Sequence, residues 1–166
     1  MIIESTLTNR AGQEIKVIYH DVADEAALGE KKIDAVHGYC FYGDKLVIVY
    51  AADKGYWTLP GGGVEVGETV SQAVVREVKE ESNMKVLKQH CLGYQDIYES
   101  KGLKCQTRSV CIVEPYGPFV TDPDGDITEI KLIDPKDLKE YVNWGEIGQH
   151  IFTRAMEARK TLESAS

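Results

Sequence analysis

One helix in this chain has to bury an apolar face and carry acidic side chains along it. The apolar spacing predicts that helix from about Glu68 to Ser82. Its inward stripe is formed by Val70, Ala73, Val74 and Val78. Glu77, Glu80 and Glu81 stand at i, i+3 and i+4, so their carboxylates lie side by side. Glu77 and Glu81 continue the inward stripe, where charge without a partner is expensive. The helix therefore needs either a solvated acidic face or a bound cation that offsets the charges.

A divalent cation is the interpretation that the helical phase favours. Magnesium takes oxygen ligands and keeps several waters, so a carboxylate cluster and a phosphate group suit it together. Three glycines, Gly61–Gly63, precede the helix and let the backbone bend and approach both the helix and a substrate. Glu65 and Glu68 add carboxylates at this junction, and Arg76 is predicted to pair with one of them. The segment from 61 to 81 is therefore the candidate site.

Residues 62–84 resemble the Nudix box, the motif G-x5-E-x7-R-E-U-x-E-E-x-G-U in which U is a bulky aliphatic residue. Gly62, Glu68 and the run Arg76-Glu77-Val78-Lys79-Glu80-Glu81 occupy its defined positions. Asn83 replaces the last glycine, at a helix end where asparagine is the next best choice for a left-handed residue. Met84 is a variant of the closing aliphatic residue, and Trp57-Thr58-Leu59-Pro60 resembles the usual lead-in of the family.

The resemblance implies an α+β fold, with a mixed β-sheet sandwiched between helices in an α/β/α sandwich. It implies a hydrolase that uses Mg²⁺ or Mn²⁺, in which water attacks a phosphorus of a nucleoside diphosphate linked to another group. An NTP, ADP-ribose or a nucleotide sugar would be such a substrate. The implied metal ligands are Glu77, Glu80, Glu81 and Gly62. The implied catalytic residues are Glu77, Glu81, Glu129 and Arg76, and the expected substrate contacts are Glu65, Tyr56, Trp57 and Gly63.

The general base differs between Nudix subfamilies, and the sequence offers several candidates. Glu129 stands just before the last predicted strand, where related enzymes often carry such an acid. Asp122, Asp124 and Asp126 in the same loop are its rivals, or parts of a solvated turn. A glutamate of the helix, such as Glu77, is a further candidate.

The sequence leaves the substrate open. ADP-ribose hydrolases commonly carry a proline a short way after the motif, but this chain reads Tyr98-Glu99-Ser100-Lys101 there. Tyr98 nearly matches the tyrosine of diadenosine-polyphosphate hydrolases, in imperfect register. Tyr50, Tyr56 or Trp57 is expected either to stack on a base or to belong to the sheet core.

The rest of the chain predicts a single domain over residues 1–166, with an N-terminal β-hairpin and a C-terminal helix. Strands are predicted at 2–7, 14–20, 33–42, 45–51, 86–98, 106–113 and 130–133. Residues 23–32 and 116–126 are predicted loops, and Gly61–Gly63 is expected to break regular structure. A short helix is expected from Asp134-Pro135 to about Tyr141, and an amphipathic helix over 145–162.

Composition disfavours several classes of protein. Acidic residues outnumber basic ones by 27 to 19, and the net charge of −8 disfavours stable binding to nucleic acid. The sequence predicts neither a membrane-spanning segment nor a signal peptide. The cysteines lack C-x-x-C spacing and are expected to be reduced structural thiols: Cys40, Cys91, Cys105 and Cys111. We therefore expect a cytoplasmic protein with a small nucleotide-like substrate and no membrane partner, for which a homodimer is an open possibility.

Two other functions are compatible with the same fold. One is a non-catalytic Nudix-fold domain that binds nucleotides or a protein partner. Such domains typically lose glutamates of the motif, whereas this chain keeps them all. The other is an isomerase of the isopentenyl diphosphate type, which uses a catalytic cysteine. Cys40 or Cys91 would take that role, although their strand-like neighbours favour burial.

Overall fold

A computed structural model describes residues 1–9, 11–118 and 127–165, with Thr128 by its backbone alone. Within these ranges, nine strands join one mixed sheet. They are β1 (Ile2–Thr8), β2 (Glu14–Asp21), β3 (Ala35–Tyr42), β4 (Lys45–Ala51), β5 (Tyr56–Thr58), β6 (Gly61–Gly63), β7 (Met84–Glu99), β8 (Gly102–Pro115) and β9 (Ile127–Ile133). The helices are α1 (Val70–Ser82), α2 (Leu138–Tyr141) and α3 (Gly145–Ser164), and 3-10 turns span Glu25–Leu28 and Pro135–Asp137.

The sheet runs in the order β1-β2-β7-β8-β3-β4-β5, with β6 added beside β3 and β9 beside β4. Strands β3 and β8 are parallel, and β3 also pairs with the glycine strand β6 in antiparallel register. Arg108 of β8 is therefore opposite His37 of β3, which in turn is opposite Gly61 of β6. These three strands set one row of residues across the sheet.

Helices α1 and α3 cover opposite faces of the sheet. Because alternate residues of a strand point to opposite faces, β3 contributes to both cores. Val36 and Cys40 pack in a buried cluster with α1, whereas Tyr39 and Phe41 pack in a second cluster with α3. The expected α+β fold, with a sheet sandwiched between helices, is confirmed.

The ends of α1 follow from its sequence. Thr69 is the N-cap, and its side chain accepts from the backbone N–H of Gln72, whose side chain accepts from Thr69 in return. This reciprocal cap starts the helix at Val70, two residues later than predicted. At the other end Asn83 adopts the left-handed conformation, with φ of 53°, as its place in the motif indicates.

Several sequence predictions need correction. Gly61–Gly63 was expected to break regular structure, but its backbone pairs with β3 as a short strand. Strand β5 and the turn at Glu25–Leu28 were not predicted, since both are too short for a periodic pattern. Strands β7, β8 and β9 are longer than predicted, because pairing with a neighbour extends them into polar sequence.

Two further features concern the chain as a whole. In the described ranges no helix is both long and apolar enough to cross a membrane. All four cysteines are free and buried, and Cys40, Cys91 and Cys111 pack in the core cluster on the α1 face of the sheet.

Candidate active site

Arg76 joins the glycine strand to the acidic face of α1. Its guanidinium binds Glu68 through two hydrogen bonds of 2.7 and 2.8 Å, and donates to the backbone oxygen of Gly63 at 2.8 Å. It also donates to Glu77 at 2.8 Å and to Glu80 at 3.3 Å. The hydrogen bonds from Arg76 lower the pKa of Glu68 from 4.5 to about 2. Arg76 therefore fixes the loop, as expected, and also offsets charge on two of the three helix glutamates.

Glycine is needed at positions 61 and 62 because neighbouring atoms leave no room for a Cβ there. A Cβ atom at Gly62 would come within 2.5 Å of the Glu77 carboxylate, and one at Gly61 within 2.1 Å of the Val36 backbone oxygen. The backbone N–H of Gly61 donates to Glu81 at 2.8 Å. The glycine strand thus holds Glu81 in place and leaves room for Glu77.

A cavity of about 730 Å³ opens beside this strand. Glu77 and Glu81 of α1 line it together with the three glycines, and Trp144 and Gly145 line it from the start of α3. Other polar residues on its wall are Asp53, Lys54, Thr58, Gln95, Gln106 and Asn143. This volume falls in the range of small-molecule sites, roughly 300–1,000 Å³. Helices from both faces of the sheet therefore contribute to one cavity.

A cationic group lies on the sheet side of the cavity. Arg108 is 3% exposed, and its guanidinium lies 4.6 Å from the centre of the Trp144 ring. It also lies 3.2 Å from Nδ1 of His37. Burial and the charge of Arg108 hold the pKa of His37 well below its ordinary value, so the imidazole is neutral near pH 7. The wall of the cavity thus carries two carboxylates, from Glu77 and Glu81, and one guanidinium, from Arg108.

The cavity brings together only part of the predicted site. Glu77, Glu81, Gly62, Gly63 and Tyr56 line it. Trp57 packs instead against Tyr50 and Tyr141, and Glu65 is an exposed residue 3.7 Å from Arg76. Glu129 is exposed on β9 opposite Tyr50 and is not part of the cavity wall described. Asp122, Asp124 and Asp126 lie outside the described residues.

The donor set fits a hard divalent cation by chemistry, although it is not assembled around one. As the side chains stand, no three acidic, histidine or cysteine residues of the described ranges converge closely enough to hold a metal ion. Glu77 and Glu80 are turned towards Arg76, and Glu81 towards Gly61. All three are carboxylates on one turn of helix beside a cavity, which is the oxygen donor set that Mg²⁺ prefers.

Sequence reasoning missed His37, Arg108 and Trp144. Arg108 carried a weak signal, because it is a charged residue in a strand that continues into the apolar run from Val110 to Val113. A charged residue is rarely fully buried unless it has a partner, so its place in a strand indicates a structural or functional role. His37 and Trp144 gave none, because a histidine in a strand and a tryptophan before a helix are ordinary residues of a core.

Comparisons with known proteins agree with the fold and with the resemblance of residues 62–84 to the Nudix box. The model of the NUDIX domain matches residues 31–153. A Caenorhabditis elegans protein named as a nudix hydrolase is 36% identical over 92 residues, which are 52% of this chain and 22% of that protein. The ADP-ribose pyrophosphatase of Methanocaldococcus jannaschii is 64% identical over 31 residues, which are 19% of this chain and 18% of that protein. The match thus spans about a fifth of each of these curated relatives.

A solved structure shows the same fold over nearly the whole chain. The crystal structure of the Bacillus subtilis pyrophosphohydrolase BsRppH superposes with a TM-score of 0.70, at 17% identity. The superposition covers 95% of this chain and 99% of that one. The family model covers well over half of the sequence, and the matched range contains the glycine strand and the acidic helix. The chain belongs to the Nudix hydrolase family.

Proposed function

We propose that this protein is a metal-dependent hydrolase that cleaves a diphosphate linkage in a small nucleotide-like substrate. One observation carries the proposal: Glu77 and Glu81 face a nucleotide-sized cavity directly across a strand of three glycines. Carboxylates so placed repel the phosphates of a substrate unless a cation lies between them. The net charge of −8 also repels a phosphate substrate, so the protein as a whole favours a bridging cation.

Glu77, Glu80 and Glu81, with the backbone of Gly62, are the groups that would hold Mg²⁺ or Mn²⁺. When bound, the cation would activate water, orient the phosphates and offset charge on the leaving group. Glu80 and Glu77 share Arg76 as a partner, so a bound cation and Arg76 would neutralise the same pair of carboxylates. The residues of the chain supply the remaining work, which is positioning and proton transfer.

Each residue of the glycine–helix junction has a definable part in that work. Gly61 holds Glu81 through its backbone N–H, and Arg76 orients Glu77 while tying Glu68 and Gly63 to the helix. Gly63 and Tyr56 on the cavity wall are proposed contacts to the substrate. Glu65 and Trp57 do not line the described cavity, so they would contact a substrate only where it extends past the rim of the cavity.

The general base is proposed to be Glu129. It is two residues from Ile127, which lines the cavity, and its exposed side chain is free of the sheet core. A base acts through a hydrogen bond to the attacking water, and such bonds are often completed only when substrate is bound. Glu77 and Glu81, which already face the cavity, are the alternatives.

The isomerase alternative finds no support in the cysteines. Cys40 is fully buried and Cys91 is 6% exposed, and neither lines the cavity described. Burial raises the pKa of the Cys91 thiol to about 11, and a hydrogen bond with Cys111 raises the pKa of Cys40 well above its ordinary value. A nucleophilic cysteine needs the opposite shift.

We also propose that the protein acts in the cytoplasm on free small molecules, without stable nucleic-acid or membrane partners. Four buried free thiols suit a reducing compartment, and the acidic surface disfavours polyanions. A homodimer is compatible with this proposal.

Product analysis in isotope-labelled water tests the proposed reaction. The purified chain is incubated with Mg²⁺ and an NTP, ADP-ribose, a nucleotide sugar or a dinucleoside polyphosphate in water enriched in ¹⁸O. We expect at least one compound to be cleaved, with ¹⁸O in a phosphate product, because water attacks phosphorus. Compounds that raise the melting temperature without being cleaved would instead indicate a binding domain.

A further inference from the structure

The buried guanidinium of Arg108 has no carboxylate partner in the described part of the chain. Arg108 is in the middle of β8, is 3% exposed and lines the same cavity as Glu77 and Glu81. None of the ion pairs found in the described ranges includes it. A buried charge is normally paired, because removing an ion from water costs several kcal/mol even after relaxation. Arg108 therefore carries a charge that no carboxylate of the described residues balances through an ion pair.

The hydrogen bonds of Arg108 are made to neutral acceptors. One terminal nitrogen donates to the backbone oxygen of Thr107 at 3.1 Å, and the other to the side-chain oxygen of Gln106 at 3.3 Å. The contact to His37 has Nδ1 as acceptor, since a guanidinium can only donate, so the imidazole proton is on Nε2. Nε of Arg108 is buried and has no partner among the described residues. Burial lowers the pKa of Arg108 only to about 10, so the group stays charged near pH 7.

A second feature at the same place also favours negative charge. Helix α3, of 20 residues, begins at Gly145, and both Gly145 and its N-cap residue Trp144 line the cavity. The ring of Trp144 is the one over which the Arg108 guanidinium lies. An indole has no acceptor for the free N–H groups of a first turn. Apart from the bond of Asn143 to Gly145, no side-chain cap is seen in the described residues. The positive end of the helix and the buried cation thus meet at one wall.

We propose that Arg108 and the N-terminal end of α3 form a subsite for a phosphate group of the substrate, an inference that rests on the proposed function. The neutral edge of a nucleobase would accept hydrogen bonds but leave the buried charge uncompensated. A phosphate supplies acceptors and negative charge together. Among anions of this size, phosphate is the one that the substrate class already contains.

The register of the sheet places this subsite at a defined distance from the acidic end. Arg108 is opposite His37, which is opposite Gly61, whose N–H holds Glu81. Two strand spacings, about 10 Å, separate the backbone of Arg108 from that of Gly61. A phosphate at Arg108 is thus beyond the diphosphate held at the acidic end. The substrate class is a compound with a further phosphate, rather than one whose only charge is the diphosphate that is cleaved.

Phosphate binding without metal tests this inference. Inorganic phosphate and pyrophosphate are titrated in EDTA at constant ionic strength into the wild type, R108M, R108K and R159M, by calorimetry and thermal melting. Arg159 is the matched control, since it lies 4.6 Å above the ring of Phe41 but is paired with Glu163 outside the cavity. We expect R108M to weaken binding at least tenfold, R108K to weaken it less, and R159M to change it less than twofold. Without anions, R108M should melt no lower than the wild type, because it removes an unbalanced buried charge.

The following binding results would overturn the inference. Phosphate binding by R108M at wild-type affinity, or no saturable binding by the wild type, would show that Arg108 is not an anion site. If R108M does not fold, R108K takes its place, and unchanged phosphate affinity in R108K or an equal loss in R159M would exclude Arg108 in the same way. Acetate that binds as tightly as phosphate would assign the subsite to carboxylates. Turnover is not measured in EDTA, so loss of the proposed hydrolase function would leave these binding results intact.

Discussion

Replacing Arg76 by methionine removes the group that ties the glycine strand to α1. Met keeps much of the apolar stem but none of the five hydrogen bonds to Glu68, Glu77, Glu80 and Gly63. Glu68 and Glu77 are only 13% and 12% exposed, so both carboxylates would lose a charged partner where water cannot replace it fully. We therefore expect a large loss of stability from one surface-proximal residue.

The size of that loss follows from burial. Breaking a fully buried ion pair costs about 3–5 kcal/mol. Arg76 is 22% exposed, so solvent screens part of the interaction, and we expect a loss of about 2–3 kcal/mol in the free energy of unfolding. In a domain of this size 1 kcal/mol corresponds to roughly 2–4 °C, so the melting temperature should fall by about 4–12 °C. R76K keeps the charge but not the two-pronged geometry, and should lose about half as much.

The effect of Arg76 must also depend on pH. The pKa of Glu68 is lowered from 4.5 to about 2 in the folded protein, so the stabilisation is complete above pH 4.5. It is lost as the pH falls from 4.5 towards 2, because the carboxylate becomes protonated. The difference in unfolding free energy between the wild type and R76M should therefore be largest near pH 7 and narrow below pH 4.5.

Urea unfolding in EDTA at pH 7, 5, 4 and 3 measures this difference. K16M is the control, because Lys16 pairs with Glu4 on the surface, where both side chains are more than half exposed, and should not change stability measurably. An R76M protein as stable as the wild type at pH 7 would refute the structural role of Arg76. A difference that stays constant down to pH 4 and below would refute the part assigned to Glu68.

Three further predictions concern the site. Gly62→Ala should lower kcat at least tenfold, because its Cβ would be 2.5 Å from the Glu77 carboxylate, whereas Gly117→Ala, with open space around it, should not. Glu129→Gln should lower kcat by roughly 10²–10⁴ without changing metal affinity, and Asp124→Asn should lower kcat much less. A Glu129→Gln enzyme that keeps more than about half of the wild-type kcat would assign the general base to Glu77 or Glu81 instead. Iodoacetamide should leave the four cysteines unlabelled in the folded protein and label all of them in urea, and loss of activity on alkylation of Cys40 or Cys91 would revive the isomerase hypothesis.

Local patterns in the sequence predicted the part of the site that is local in the chain. The acidic helix, its cap at Asn83 and the pairing of Arg76 with Glu68 all depend on residues within one short segment. Helical spacing alone places Glu77 and Glu81 beside the core. The strand and helix patterns alone predicted an α+β domain, whereas the order of layers was implied by the resemblance to the Nudix box.

The opposite wall could not be predicted, because sheet register assembles it. His37 and Arg108 are 71 residues apart and meet only because β3 and β8 pair in parallel. Trp144 reaches them from the start of α3, which packs on the same face of the sheet. No local period encodes such contacts. The same limit applies to Glu129, whose distance from the cavity depends on how β9 adds to β4.

Metal dependence of turnover tests the central claim most directly. The best substrate found is assayed with the wild type and with Glu81→Gln, in Mg²⁺ and in excess EDTA, while calorimetry follows the binding of Mn²⁺ to both proteins. Glutamine at 81 keeps an oxygen that can accept from Gly61, so the fold should be retained while a charge is lost. We predict turnover only by the wild type in Mg²⁺, with weaker Mn²⁺ binding by Glu81→Gln. Full turnover in EDTA, or a Glu81→Gln enzyme with wild-type kcat at saturating Mg²⁺, would contradict the account.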